Sequence, residues 1–309
     1  MTEPPRRHLA ERAIQALGGL NAPGAAPLPG AISPPPAPPG AEQRARPITD
    51  ALLRSGPEVL EAPRMPEARP AAPGPSSSPP IPLARLHGAG LIAHVQGRNR
   101  LFEEIAVVQD QVVRTVHATA TTGGRHPRLV AVTSTLPGEG KTFMALNIAA
   151  AMAAARAQPV MLLDADGKNG SLSELLECKD RPGIAELAAN PDRPVGPCVV
   201  PTERDRLCVL PFGQGRPSGA AIASAALRVA ESHPRHIVIL DLPPALSTSE
   251  ASALAPVVGQ VVMVVEAERT QRGQLEAALD LLDACPTVQL VLNRARPGDE
   301  RFGAYGYDG

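Results

Sequence analysis

A chain of 309 residues with 30 basic and 31 acidic side chains, net charge -1, has no basic excess to draw nucleic acid or anionic lipid. No stretch approaches the ~20 apolar residues that cross a bilayer, so direct membrane insertion is excluded and any membrane role runs through a partner. The 36 prolines crowd into the first quarter, which leaves one sizeable folded domain rather than two. Cys178, Cys198, Cys208 and Cys285 lie too far apart for C-x-x-C metal spacing and follow no signal peptide. They read as buried thiols of a reducing compartment, the cytoplasm.

In chain order, RRHLAERAIQAL from Arg6 to Leu17 puts Leu9, Ala13, Ile14 and Leu17 on one face before a Gly18-Gly19 stop, which predicts a short helix. From Asn21 to about Pro82, Pro, Ala, Gly and Ser dominate, too few apolar groups to offset chain entropy, so this stretch is expected to be a tether. Order is expected from Leu86. Leu101, Ile105, Val108, Val112 and Val116 then recur at helical spacing and predict a helix that lays one stripe on the core. TTGGRHP reads as a spacer.

The stretch RLVAVTSTLPGEGKTFMALNIAAAMA organises the rest. An apolar run, Leu129 to Val132, meets a glycine loop and then a helical pattern. Gly138 and Gly140 let backbone N–H groups converge on a phosphate, Lys141 reaches the outer phosphates, and the Thr142 hydroxyl can ligate magnesium. Glu139 and Phe143 complete the expected nucleotide-contacting set. The usual spacing would place a further glycine at position 135, where this chain has Thr135. Lys141, on a surface loop, is expected to be removable without cost to the fold.

Apolar runs follow at Val160 to Leu163, Arg206 to Leu210, Ile237 to Leu240, Gln260 to Val265 and Val288 to Leu292, separated by helical patterns at RPGIAELAANP, Leu246 to Pro256 and Gln274 to Ala284. Alternating strands and helices predict an α/β fold, a mostly parallel sheet covered on both faces. Asp164 and Asp166 end one strand and Asp241 another, so all three face the ligand edge beside the phosphate loop. A strand ending in aspartate beside such a loop, as Asp241 does, usually holds magnesium through water. The tail RARPGDERFGAYGYDG carries Tyr305 and Tyr307, the only tyrosines, flanked by glycine.

With LPGEGKT, LLDAD and IVILDLPP in hand, the stretch from about Asn99 resembles the bacterial tyrosine kinases (BY-kinases) of capsule and exopolysaccharide assembly, whose P-loop fold is similar to the MinD/ParA ATPases. RPGIAEL, LPFGQGRPSG, VVMVVEAERTQRG and VLNRARP extend the match. The resemblance implies a tyrosine autokinase that uses ATP and Mg2+ through Lys141, Asp164, Asp166 and Asp241, with Thr142, Asp166 and Asp241 at the metal, Asp164 as the candidate base for a tyrosine hydroxyl with pKa near ~10, Tyr305 and Tyr307 as the candidate phosphoacceptors, and Asn293 near adenine. It also implies a membrane chain-length or export protein as activator, recruitment to the inner face of the membrane, and a homo-oligomer. Domains are then expected at 1–85 (Pro-rich, with the short helix), 86–297 (kinase) and 298–309 (tyrosine tail). Leu136 stands where the MinD/ParA loop carries its signature lysine, which the kinase family also lacks. Three departures from the family stand out: Gly167-Lys168-Asn169-Gly170 replaces the arginines and proline that usually follow the acid pair, Val107 and Asp110 take the arginine places of the E-x-x-R-x-x-R helix, and the tail has two tyrosines rather than a long cluster. The alternatives are a MinD/ParA-like ATPase that turns over ATP on water, or a nucleotide-dependent scaffold.

Overall fold

The computed structural model describes residues 79–92, 100–119, 124–155 and 158–295. The helix expected over Arg6–Leu17, the proline-rich stretch up to residue 78 and Tyr305 and Tyr307 lie outside the described residues.

The long apolar runs become strands because a strand buried on both faces needs no polar alternation. In β1 (His126–Ser134), β2 (Val160–Asp164), β5 (Ile237–Asp241) and β6 (Val258–Glu266) successive side chains enter opposite cores. Leu129 and Ala131 of β1 point to one side, Val130 and Val132 to the other, and all four are fully buried. With β3 (Val200–Pro201), β4 (Leu207–Leu210) and β7 (Val288–Asn293) they form one sheet in the order β3-β4-β2-β5-β1-β6-β7. Every pairing is parallel except β3 with β4.

On one face lie α1 (Leu83–Gly88), α2 (Arg100–Ala118) and α3 (Lys141–Ala154), which contribute Leu86, Ile105, Val112 and Leu146. After α4 (Leu172–Leu175), the other face is covered by α5 (Ile184–Ala189), α6 (Gly219–Ser232), α7 (Glu250–Leu254) and α8 (Arg272–Asp280), through Leu187, Ile222, Val229, Leu254 and Ala278. The α/β expectation of a mostly parallel sheet covered on both faces is what the chain adopts. No helix among the described residues is long and apolar enough to cross a membrane.

Several boundaries differ from expectation for local reasons. Packing begins at Ile81 rather than Leu86: Ile81 N–H donates to Pro201 O and its carbonyl accepts from Glu203, so this residue adds a bridge beside β3. Leu86 and Leu91 are then buried against α3, where the Asn147 side chain accepts from Ile92 N–H and donates to the Gly90 carbonyl. His126 and Pro127, expected in the spacer, join β1. The helix expected from Leu246 starts at Glu250, because Leu242 and Ala245 N–H groups donate to Val132 and Ser134 and hold the chain extended beside β1. The helix expected over Gln274–Ala284 starts early, where Gln271 N–H donates to the Gln274 side chain, and gives way to tight turns after Asp280. The chain between Gly219 and Ser232, assigned no element from sequence, is a fourteen-residue helix capped by Ser218, whose hydroxyl accepts from Ala221 N–H.

A glutamine pair across β6 and β7, Gln260 buried and Gln289 half-buried, fixes α2 on the sheet. Gln260, fully buried, donates to Val112 O at 2.9 Å and accepts from Gln289, which also donates to Thr115. A buried amide without those partners would cost about 1–3 kcal/mol, so the network sets where along β6 the helix can rest. Cys178, Cys198 and Cys285 are buried free thiols, and burial pushes Cys178 up to about 11.

Candidate nucleotide and metal site

β1 ends at Ser134 and α3 begins at Lys141, so six residues turn the chain through the space at the carboxyl edge of the sheet. Gly138 (φ 87°) and Gly140 (φ 96°) sit in the left-handed region, where a side chain is strained. A Cβ on Gly140 would also run into the Asn293 amide. Thr135 lies deeper. It is fully buried, has ordinary φ, and directs its hydroxyl at the Met263 sulfur (3.8 Å), so the glycine missing from the usual spacing is not required. The first N–H groups of α3 open into a cavity of about 330 Å3 bordered by Gly138, Lys141, Thr142, Phe143 and Asp166, with Pro244 and Ser247 opposite. Converging N–H groups and the positive end of a fourteen-residue helix make that cavity an anion site.

Its acidic wall comes from β2 and β5. Asp164 and Asp241 stand directly opposite one another across this parallel pair. The Lys141 ammonium lies 2.8 Å from Asp166 Oδ2 and 3.5 Å from Asp241 Oδ1. Burial opposes its charge, but Asp241, Asp166 and Asp164 outweigh that and hold the lysine above its ordinary value. Burial pushes Asp241 up to about 7, against the pull of Lys141 and a hydrogen bond from Thr142, and Asp164 and Asp166 add to the rise. Asp166 Oδ1 and Asp241 Oδ2 are buried and lack a hydrogen-bond partner. Two orphaned carboxylate oxygens beside a threonine hydroxyl fit a magnesium ion, a hard cation that takes oxygen ligands. Among the described residues no three His, Cys, Asp or Glu side chains form a closed cage. That agrees with magnesium's habit of drawing the rest of its shell from phosphates and water.

The remaining expected residues divide. Phe143 borders the cavity and packs by its ring against Gly90. Asp164 does not join the wall as a free carboxylate: Oδ1 accepts from Asp166 and Gly167 N–H, and Oδ2 from Ser173 N–H at 2.7 Å. With both oxygens engaged and no solvent exposure, it shapes the turn that carries Asp166 and is not disposed to take a substrate proton. Glu139 turns its side chain away from the cavity, into the protein, where it accepts from Leu136 N–H and from the Thr270 hydroxyl. Asn293 donates its amide to the Glu139 carbonyl at 2.8 Å, so it braces the loop from behind. Lys141, with a side chain only 11% exposed, is a buried charge partner rather than a loop ornament, and its removal is not free for the fold. Thr270 was not singled out from sequence; it lies in the matched RTQRG segment but bears no mark of its role there.

This fold and loop define a P-loop nucleotide-binding domain. No protein-family model matches the chain. It is 32% identical over 184 residues to the succinoglycan biosynthesis transport protein ExoP of Rhizobium meliloti, covering 55% of this chain and 23% of ExoP. It is 26% identical over 191 residues to the tyrosine-protein kinase CpsD of Streptococcus agalactiae, covering 59% of this chain and 82% of CpsD. The chain thus spans about a quarter of ExoP's length. Among solved structures, the chimerical protein CapA2B2 shares the fold with a TM-score of 0.56 and 21% identity, over 68% of this chain and 91% of that one. Over its P-loop domain the chain is similar to proteins named as bacterial tyrosine-protein kinases.

Proposed function

We propose that the chain is an ATP- and Mg2+-dependent protein tyrosine autokinase that serves exopolysaccharide or capsule assembly beside a membrane chain-length or export protein. The observation that carries this reading is the wall formed by Lys141, Asp166 and Asp241 at the mouth of a glycine loop, with one oxygen on each aspartate left without a partner. The names of the relatives supply the acceptor and the pathway. Phosphoryl transfer asks for positioning and charge neutralisation more than for covalent chemistry, and these groups suffice for both.

Gly138, Gly140 and the first turn of α3 bind the phosphates, and Lys141 leaves the carboxylates for the outer phosphate oxygens. Thr142, Asp166 and Asp241 would hold the metal, which would supply charge neutralisation for the transferring group. Asp164, with three N–H donors on its two oxygens, holds the turn that carries Asp166. Tyr305 and Tyr307 are the proposed acceptors. The protein works at the inner face of the membrane through its partner, and it assembles with copies of itself.

Intact mass after incubation with Mg-ATP tests the reading. Added phosphate on the tail, absent from a Tyr305→Phe, Tyr307→Phe chain that still hydrolyses ATP, supports it. A wild-type chain that turns ATP over with the membrane protein present, yet never gains phosphate, is a MinD/ParA-like ATPase instead; one that binds without turnover is a scaffold.

A further inference from the structure

Glu139 is a fully buried carboxylate inside a phosphate-binding loop, and both its oxygens are in use. Oε2 accepts from Leu136 N–H at 2.9 Å, which closes the loop on itself, and Oε1 accepts from the Thr270 hydroxyl, 131 residues away. Its backbone carbonyl is held by the Asn293 amide. These ties form a closed circuit, since the Asn293 carbonyl in turn accepts from Ala267 N–H, three residues before Thr270. The segment between β6 and α8 is itself turned on Glu266, whose carbonyl accepts from Arg269 and Thr270 N–H and whose carboxylate pairs with Arg269 and Arg294. Arg269 Nη1 comes within 3.4 Å of where a Cβ on Gly138 would sit, so this segment leans on the loop's outer glycine as well.

The loop needs such a brace. Gly138 and Gly140 flank Glu139, both at φ values that free glycine visits without preference, so the glycine backbone does not by itself select this one conformation. The only side chain between them is the one that reaches Thr270. We infer that Thr270 is a positioning residue for the phosphate loop, acting through Glu139 to hold the loop in the shape that receives a nucleotide's phosphates. The inference rests on the nucleotide-site reading, but it concerns the loop's shape before any ligand arrives. A loop that samples other shapes binds with an affinity reduced by the fraction of time it is competent.

Thr270→Val keeps the branched shape and deletes the hydroxyl; Thr270→Ser keeps the hydroxyl; Glu139→Gln weakens the acceptor from the other side. Amide hydrogen exchange of residues 136–142 in nucleotide-free protein should speed up in Thr270→Val, with the sheet unchanged, and return close to wild type in Thr270→Ser. A fluorescent ATP analogue with Mg2+ should bind Thr270→Val about tenfold more weakly, the loss expected when a buried carboxylate oxygen loses its donor. Glu139→Gln should fall between the two, and turnover at saturating nucleotide should change less than the affinity. Equal exchange and equal affinity in Thr270→Val and wild type overturn the inference, as does faster exchange spread evenly through the domain, which marks a merely structural contact. If wild-type protein binds no nucleotide, the nucleotide reading fails, while the exchange measurement still decides whether Thr270 shapes the loop.

Discussion

Replacing Lys141 with methionine keeps the side-chain stem and removes the one ammonium that faces Asp166 at 2.8 Å and Asp241 at 3.5 Å. Two costs of different kinds follow. Loss of the charged hydrogen bond to Asp166 removes about 1.5–3 kcal/mol at any pH where that carboxylate is ionised. The second cost depends on pH through Asp241, which burial already places at about 7 with the lysine present. Without the lysine its value rises further. A carboxyl whose folded value lies above its unfolded one destabilises the folded state as pH rises, because the native protein retains a proton that the unfolded chain has released. Below about 7 both proteins hold that proton and the pH-dependent difference vanishes. Above it, only the variant holds it, and the gap in stability widens by up to about 1.4 kcal/mol per pH unit. Between about pH 6 and about pH 8 we expect ~1 kcal/mol of widening, roughly 2–4 °C in midpoint for a domain of this size. Urea unfolding with chelator and no nucleotide measures it. Repeating the substitution in an Asp241→Asn background should remove the widening and leave the constant cost. A gap that is the same at both pH values, or no gap at all, would refute the coupling of Lys141 to Asp241.

Asp241→Asn alone removes a costly buried charge, so it should stabilise nucleotide-free protein above about pH 7 while abolishing the Mg2+ dependence of nucleotide binding; unchanged Mg2+ dependence in calorimetry would count against the metal site. Burial, with His233 beside it, pushes His236 down to about 4, so the native state binds fewer protons than the unfolded chain between there and about 6.5. Stability from this source is therefore whole above about pH 6.5 and is lost as pH falls through 4; the wild-type midpoint should drop more on acidification than that of His236→Phe, and parallel drops would exclude His236 as the cause. Removing residues 1–78 should leave the domain's midpoint in place, whereas Leu86→Ala, at a site with no exposure, should cost about 2–5 kcal/mol, and a midpoint unmoved by Leu86→Ala would show that the segment does not pack on α3. Gly140→Ala, strained at φ 96° and directed into the Asn293 amide, should lose nucleotide binding with a smaller loss of stability, as titration and thermal melting would report.

What could be read from the sequence is what lies within a short span of chain. Strands β1, β2, β5 and β6 are apolar runs bounded by turn residues, and the loop between β1 and α3 is legible because its glycines, lysine and threonine act within seven residues of one another. Three aspartates at strand ends were placed at the ligand edge by topology alone, and the register confirms the level at which Asp164 and Asp241 stand. Their division of labour was not legible. Whether a carboxylate at a strand end is free or consumed depends on where the next turn brings its N–H groups, and it is the Asp166–Ser173 turn that occupies Asp164. The two-residue strand β3 was missed because its pairing, and the Ile81 bridge beyond it, are made by residues with no periodic pattern of their own. α6 was overlooked although Ser218 and the spacing of Ile222, Ala226 and Val229 would have marked it.

Glu139 shows why a motif under-determines its site. Within P-G-E-G-K the glutamate looks like part of the phosphate grip, since every neighbour serves that grip. Its carboxylate instead faces inward, toward a threonine in another loop, and Asn293 approaches the same residue from the end of β7. Glycine at position 140 is thus required for two separate reasons, a left-handed backbone and room for the Asn293 amide. The spacing of the motif displays the first reason, and only the sheet, by bringing β7 and the β6–α8 segment to the same edge as β1, creates the second. The affinity of the phosphate loop is therefore a property of three strand ends, and substitutions at Thr270 or Asn293 should reach the nucleotide without touching it.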